Sequence, residues 1–196
     1  MNTIDQLLLE IKEDKKDNLS TTSFLFKRDI WEFFQGFTDQ NCVEFGTHKG
    51  QTTRILSHLF NEVYTLNLPN HFESAMRLNS DRSNISYIPI DLYNQSVYIN
   101  FEHLPISVCF IDAMHTYDAV LMDVDRCMNL TLTDDVYIIF DDYGAYLEVW
   151  NAVHQLIDID KLEIVKYIGH APDHNFGGTP NRIISDHEGV ICKVIR

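Results

Sequence analysis

Apolar side chains recur along this chain in two rhythms, one with helical spacing and one of short β-type runs. Ile4, Leu7, Leu8 and Ile11 follow the first, and after the polar break KEDKKDNLSTTS the amphipathic stretch FLFKRDIWEFFQGF repeats it. Both are predicted to be helices packed ahead of a sheet, an extension over residues 1–38 that precedes a core over 40–196. From Asn41 the chain alternates strand-like and helix-like segments: CVEF, GQTTRILSHLF, EVYTLNL, HFESAMRLNSD, ISYIPID, a short NQSVYINF, SVCFID, TYDAVLMDVDRCMNL, VYIIFDD and YLEVWNAVHQLI. Strand and helix in alternation predict an α/β fold with a parallel, doubly wound, Rossmann-like sheet.

The C-terminal part breaks that rhythm. LEIVKYIG is followed by the turn-rich HAPDHNFGGTPN, then RIIS, the turn DHEG and VICKVIR. Strands with no helix between them imply an antiparallel hairpin closing the sheet edge. The segment from Gly169 to Asn181 is long enough to be a lid or substrate loop, and it also reads as an ordinary hairpin excursion.

A length of 196 residues suits one domain with a full core, and 45% hydrophobic with 22% charged residues is ordinary globular usage. The net charge of −14 changes the picture of partners. It would repel a phosphate backbone, and no basic patch offsets it, so a nucleic-acid substrate is not expected. Cys42, Cys109, Cys127 and Cys192 have no paired spacing, which speaks against a zinc site or a disulfide framework. The N-terminal stretch lacks the apolar core of a signal peptide, and no apolar run approaches membrane-span length, so the expected location is cytoplasmic, with no membrane partner.

Candidate chemistry sits where predicted strands end. In VEFGTHKGQTT, Gly46 and Gly50 lie at the first strand-to-helix turn, where glycine admits a close ligand and a helix N-terminus offers free N–H groups. The E-x-G-x-x-x-G spacing places His48 at the middle glycine of the dinucleotide fingerprint, which disfavours a nicotinamide cofactor. Asn67 ends the next strand, where such folds usually place a carboxylate on ribose hydroxyls, and an amide is a weaker acceptor. Asp91 ends the third, positioned to meet a purine edge or to cap the following helix. Asp112, Asp141 and Asp142 end two further strands, and three carboxylates on one sheet edge call for a hard cation, Mg²⁺, Mn²⁺ or Ca²⁺. His115 follows Asp112 as a general base, a metal ligand or a surface histidine.

FIDAMHTYDAV followed by IIFDDYG, with the glycine turn, resembles class I S-adenosylmethionine-dependent methyltransferases over residues 40–196. More narrowly, it is similar to the small FIDGDHSYEGV-type enzymes and to metal-dependent sugar O-methyltransferases. The resemblance implies a seven-stranded sheet of order 3-2-1-4-5-7-6. It implies that Glu44, Gly46, Thr47 and Gly50 hold the methionine part of S-adenosylmethionine, that Asn67, Asp91 and Asp112 complete the cofactor site, and that Asp112, Asp141 and Asp142 hold Mg²⁺. Asn67 departs from the family's acidic residue, and Met114 stands where an acid often precedes the histidine. The expected reaction is methyl transfer to a hydroxyl of a sugar or small polyol-like acceptor, with Asp112 or His115 taking the proton and His170 or His174 as further candidates. An inert or regulatory cofactor-binding module, for which Asn67 speaks, and a hydroxylase- or lyase-like relative remain the other readings. FLFKRDIWEFF serves a homodimer contact as readily as a core-facing helix.

Overall fold

The computed structural model describes residues 3–11, 21–94, 105–130, 135–171 and 183–196. Two capped helices come first, α1 (Ile4–Glu10) and α2 (Phe24–Phe34). Thr3 Oγ1 accepts from Gln6 N at 3.3 Å and Ser23 Oγ from Phe26 N at 3.1 Å, so each hydroxyl satisfies a first-turn amide that the helix itself leaves unbonded. Then follow β1 (Asn41–Phe45), α3 (Gln51–Leu59), β2 (Glu62–Asn67), α4 (Glu73–Leu78), β3 (Ile85–Pro89), β4 (Ile106–Ile111), α5 (Tyr117–Leu130), β5 (Tyr137–Phe140), α6 (Leu147–Asp158), β6 (Leu162–Ile168) and β7 (Gly189–Val194).

The strands form one seven-stranded sheet in the order β3-β2-β1-β4-β5-β7-β6, the order that the resemblance implies. The first five are parallel, and β7 runs antiparallel to both β5 and β6. The closing hairpin is therefore made by LEIVKYI and GVICKV, with β6 at the open edge. The described part of the RIIS run, residues 183–185, forms no strand: Ile184 N donates to the Gly144 carbonyl at 2.9 Å, which ties it to the loop after β5. The helix expected over NQSVYINF, past Asn94, and most of the 169–181 loop, His174 included, lie outside the described residues.

Alternate strand residues face opposite layers, as the two-residue period of a pleated strand requires. Val43, Phe45, Cys109, Ile111, Ile138 and Phe140 pack with α5 and α6, whereas Cys42, Val108, Phe110 and Ile139 pack with α1, α2 and α3. On α2 the row Phe26, Ile30 and Phe34 is fully buried, so the aromatic stretch is a core-facing helix. The four cysteines are buried free thiols, and among the described residues no helix is long and apolar enough to cross a membrane. If α2 is docked by this row, Ile30→Ala lowers unfolding free energy by about 2–5 kcal/mol in urea denaturation, while Phe24→Ala, at a side chain 46% exposed, changes it by about 0.5 kcal/mol or less. Equal effects would mean that the helix does not bury this face.

Candidate cofactor and metal site

Strand order reverses between β1 and β4, because the chain builds outward through β2 and β3 before returning to β4 beside β1. Ligands of doubly wound sheets bind beyond the strand ends at such a point. Here Gly46 follows β1 and Asp112 follows β4, with Asp112 N donating to the Phe45 carbonyl at 2.9 Å. Gly46 adopts φ +98°, and a Cβ added there would stand 2.0 Å from the Asp112 carbonyl oxygen. Gly50, at φ +79°, would meet Ala75 Cβ at 2.6 Å. Both glycines thus serve close packing of the chain on itself, Gly46 against the end of β4 and Gly50 against α4.

Glu44, the other acid of the turn, is fully buried in β1, where its Oε2 accepts from Thr53 Oγ1 at 2.6 Å and from Thr65 Oγ1 at 2.5 Å. Burial raises its carboxyl from 4.5 to about 8, against the lowering effect of those two hydroxyls. Thr47 turns inward too, its Oγ1 lying 2.6 Å from Thr65 Oγ1. The first-turn side chains therefore form a buried polar floor beneath the glycine turn.

The acidic edge lies next to this floor. Asp112, His115 and Asp142 each bring one ligand atom to a place where all three lie within 4.8 Å of one another. His115 Nε2 is 2.9 Å from Asp142 Oδ2 and 3.6 Å from Asp112 Oδ1, and its ring packs on Tyr146 with centroids 4.6 Å apart. Burial by itself would push the imidazole down, but the hydrogen bonds and charges of Asp112 and Asp142 outweigh it and hold the ring protonated up to about 11. Asp142 sits at φ +59°, a left-handed conformation that few non-glycine residues adopt, and Ala145 N and Tyr146 N both donate to its carbonyl at 3.0 Å. Asp141 is not in the trio. It is buried beside it with Oδ1 unpartnered, and burial, followed by the charges of Asp142, Asp112 and Glu188, raises its carboxyl well above the usual range.

A cleft of about 600 Å³ opens from this edge toward β2 and β3. Leu66, Leu68, Ile90 and Leu92 supply apolar wall, and Gly46, His48, Asn67, His71, Asp91 and Asp112 line it as well. Asn67 Oδ1 already accepts from Leu68 N at 2.9 Å. Asp91 Oδ1 accepts from Tyr93 N at 3.1 Å, an Asx-type turn that holds the carboxylate at the cleft wall. His170 is exposed past β6 and is not among the lining residues.

A family model described as a methyltransferase domain matches residues 43–143, from β1 to the residue after Asp142, just over half of the chain. The chain belongs to the methyltransferase domain family. No curated protein matches it. Among solved structures, the methyltransferase domain superposes on an rRNA methylase from Streptococcus thermophilus with TM-score 0.57 at 15% identity, covering 86% of this chain and 94% of that one. An N-methyltransferase from Bradyrhizobium japonicum gives 0.58 at 12%, with 86% and 95% covered. Phosphoethanolamine N-methyltransferase 1 of Haemonchus contortus, in complex with phosphoethanolamine and S-adenosylhomocysteine, gives 0.63 at 13%, covering 98% of this chain and 46% of that one. At such identities the likeness shows the fold, and neighbours that include an RNA methylase and N-methyltransferases leave the acceptor open.

Buried polar residues that the motifs do not expose surround the candidate site. Tyr93 OH donates to Asp123 Oδ2 at 2.8 Å and accepts from Met114 N at 3.0 Å, bracing the turn that carries Asp112 and His115. Asp123 is buried in α5, where burial raises its carboxyl to about 6 against the pull of Tyr93 and Arg126. Its signal in the sequence was an acid at helical spacing within the buried row Val120, Val124 and Cys127. Glu188 and Lys27, both buried, had no such signal.

The raised Glu44 carboxyl has a measurable consequence for the methyltransferase domain. Folded protein keeps a proton that the unfolded chain releases above about pH 4.5, so stability present below that pH is lost as pH rises toward about 8. In urea denaturation from pH 5 to 8, Glu44→Gln is expected to flatten this fall by up to about 1.4 kcal/mol per pH unit. Parallel pH profiles for the two proteins would contradict the assignment.

Proposed function

We propose that the chain binds S-adenosylmethionine in the cleft at the β1–β4 switch point and methylates a hydroxyl of a sugar or other small polyol-like acceptor, with a divalent cation held at the acidic edge. The observation that carries this reading is the convergence of Asp112, His115 and Asp142 within 4.8 Å at the mouth of a cleft of about 600 Å³. That volume is in the range of small-molecule sites, and the wall offers apolar surface for a flat ring with a few polar groups for orientation. Asp112 belongs to both the cleft and the acidic group, so it stands between cofactor and acceptor.

Two carboxylates and an imidazole fit a divalent cation, and the nitrogen donor moves the preference from Ca²⁺ toward Mn²⁺. Asp112 and Asp142 would hold it with His115 as the third donor, and Asp141 would stand behind them as a buried neutral acid. When bound, the cofactor supplies the methyl group and the cation lowers the pKa of the acceptor hydroxyl. Asp112 takes the hydroxyl proton. His115, whose Nε2 lies between the two carboxylates, would give up its proton to serve as the third ligand. Tyr93 keeps the Met114 turn in place, and Tyr146 packs its ring on that of His115. A net charge of −14 favours a neutral or cationic acceptor over a polyanion.

The test is release of S-adenosylhomocysteine with hydroxylated sugars, amines and RNA as acceptors, each with Mn²⁺, Mg²⁺ or EDTA. Turnover on a hydroxylated acceptor is expected, dependent on the cation and reduced about 10- to 100-fold or more in Asp142→Asn. Full turnover in EDTA would remove the cation from the reading, and transfer to amines or RNA alone would remove the hydroxyl acceptor. Cofactor binding without transfer to any acceptor would favour the inert module, the reading to which Asn67 lends support with its acceptor oxygen already engaged.

A further inference from the structure

The candidate cleft lies beyond the ends of the strands, and a separate cavity of about 400 Å³ opens at their starts. There β4 carries a bulge. Asn41 pairs with Ile106 and Cys42 with Val108, so Ser107 is an extra residue with no partner in β1. Ile106 packs with the α5 and α6 layer and Val108 with the α2 and α3 layer, although residues two apart in a regular strand share a face. Bulges re-aim side chains in this way. Ser107 lines the cavity together with Phe37 and Tyr137, which pack on the α2 side of the sheet.

The Ser107 hydroxyl is what makes this cavity a candidate site. The residue is 3% exposed and its Oγ is buried without a hydrogen-bond partner, whereas the other lining residues are half-buried or exposed. Ser107 therefore forms the floor. A hydroxyl can both donate and accept, and burying one unbonded is costly unless a ligand completes it. The charges around it are unequal. Asp39 and Asp135 both line the cavity, and Lys193 Nζ, 2.6 Å from Asp135 Oδ1, offsets one of them. Asp39 Oδ1 accepts from Gln40 Nε2 at 3.3 Å, a neutral partner that leaves its charge in place. Among the described residues no cation lines the cavity, so oxygen acceptors and negative charge select a cationic donor over an anion. Among them, too, no third metal-ligating side chain joins the two aspartates, which makes a metal ion the poorer fit. The rings of Phe37 and Tyr137, with centroids 5.8 Å apart at 79°, offer π faces to an ammonium and apolar surface to the body that carries it.

We propose that the cavity at the starts of β1, β4 and β5 is a second ligand site that takes a small organic ammonium, with an N–H on Ser107 Oγ, the charge toward Asp39 and the apolar body against Phe37 and Tyr137. Ser107 stands near the start of β4 and Asp112 just past its end, about 17 Å apart at the rise of a strand. The site is thus distinct from the cleft and does not rest on what the cleft binds.

Amide-detected NMR titration with three probes tests this: benzylamine, and benzyl alcohol and benzoate, which keep the ring without the ammonium. Benzylamine is expected to shift the amides of Phe37, Gln40 and Ser107 with a Kd on the order of 1 mM, and the other two probes to bind about tenfold more weakly or less. Ser107→Ala is expected to weaken benzylamine about fivefold and Asp39→Asn about threefold. No shift of these amides at about 10 mM benzylamine, ten times the expected Kd, would overturn the site, and equal binding of the three probes would overturn the ammonium. Urea denaturation without ligand gives a second measurement. An unbonded hydroxyl contributes nothing to the fold, so Ser107→Ala should leave the midpoint unchanged or raise it. A lowered midpoint would mean that the hydroxyl serves the fold rather than a ligand.

Discussion

Backbone crowding at the switch point is the constraint on which the site depends. Gly46 and the Asp112 carbonyl approach so closely that any side chain at position 46 would overlap the end of β4. That approach brings the exit of β1 against the exit of β4 and sets the origin from which Asp112, His115 and the first turn of α3 are placed. A glycine at φ +98° is the only residue that meets both demands, the open conformation and the missing Cβ. The cleft toward β2 and β3 and the acidic edge toward β5 are the two sides of this one contact.

Electrostatics then limit what the site can hold. Glu44, Asp112, Asp141, Asp142 and Glu188 are concentrated around the ends of β1, β4, β5 and β7, and most are buried. Like charges in low dielectric either take up protons or gain a counterion. The chain uses both routes. Glu44, Asp141 and Glu188 are shifted toward the neutral acid, Glu188 by burial to about 7, while His115 supplies positive charge between Asp112 and Asp142. A cation at the edge would meet the same need from outside the chain.

Much of this fold could be read from the sequence because each element carried its own period. Apolar runs at CVEF, SVCFID and YIIF became central strands, and the unbroken alternation with helices gave the parallel core before any contact was known. RIIS misled because two adjacent β-branched residues look like a strand, whereas the bond from Ile184 to Gly144 depends on a loop brought there by tertiary packing. At the site, Asp112 and Asp142 were legible as strand-end acids. The inward turn of Asp141 was not, since consecutive residues at a strand end face opposite sides and the sequence does not say which faces the cleft. Glycine positions were visible, but their packing partners were not, because Asp112 and Ala75 lie far along the chain. Lys27 and Glu188 were hidden for the same reason: each looks like a surface charge until Thr21, Thr22 and Ser23 bring their hydroxyls to meet it.

The central claim is that the β1–β4 cleft is a cofactor site, and the most direct measurement is a structure of the protein crystallised with S-adenosylhomocysteine. Density for the nucleoside between Leu66, Leu68, Ile90 and Leu92, with the sulfur directed toward Asp112, is the result predicted. An empty cleft at ligand concentrations of about 1 mM, well above the micromolar range expected for such a site, would contradict it.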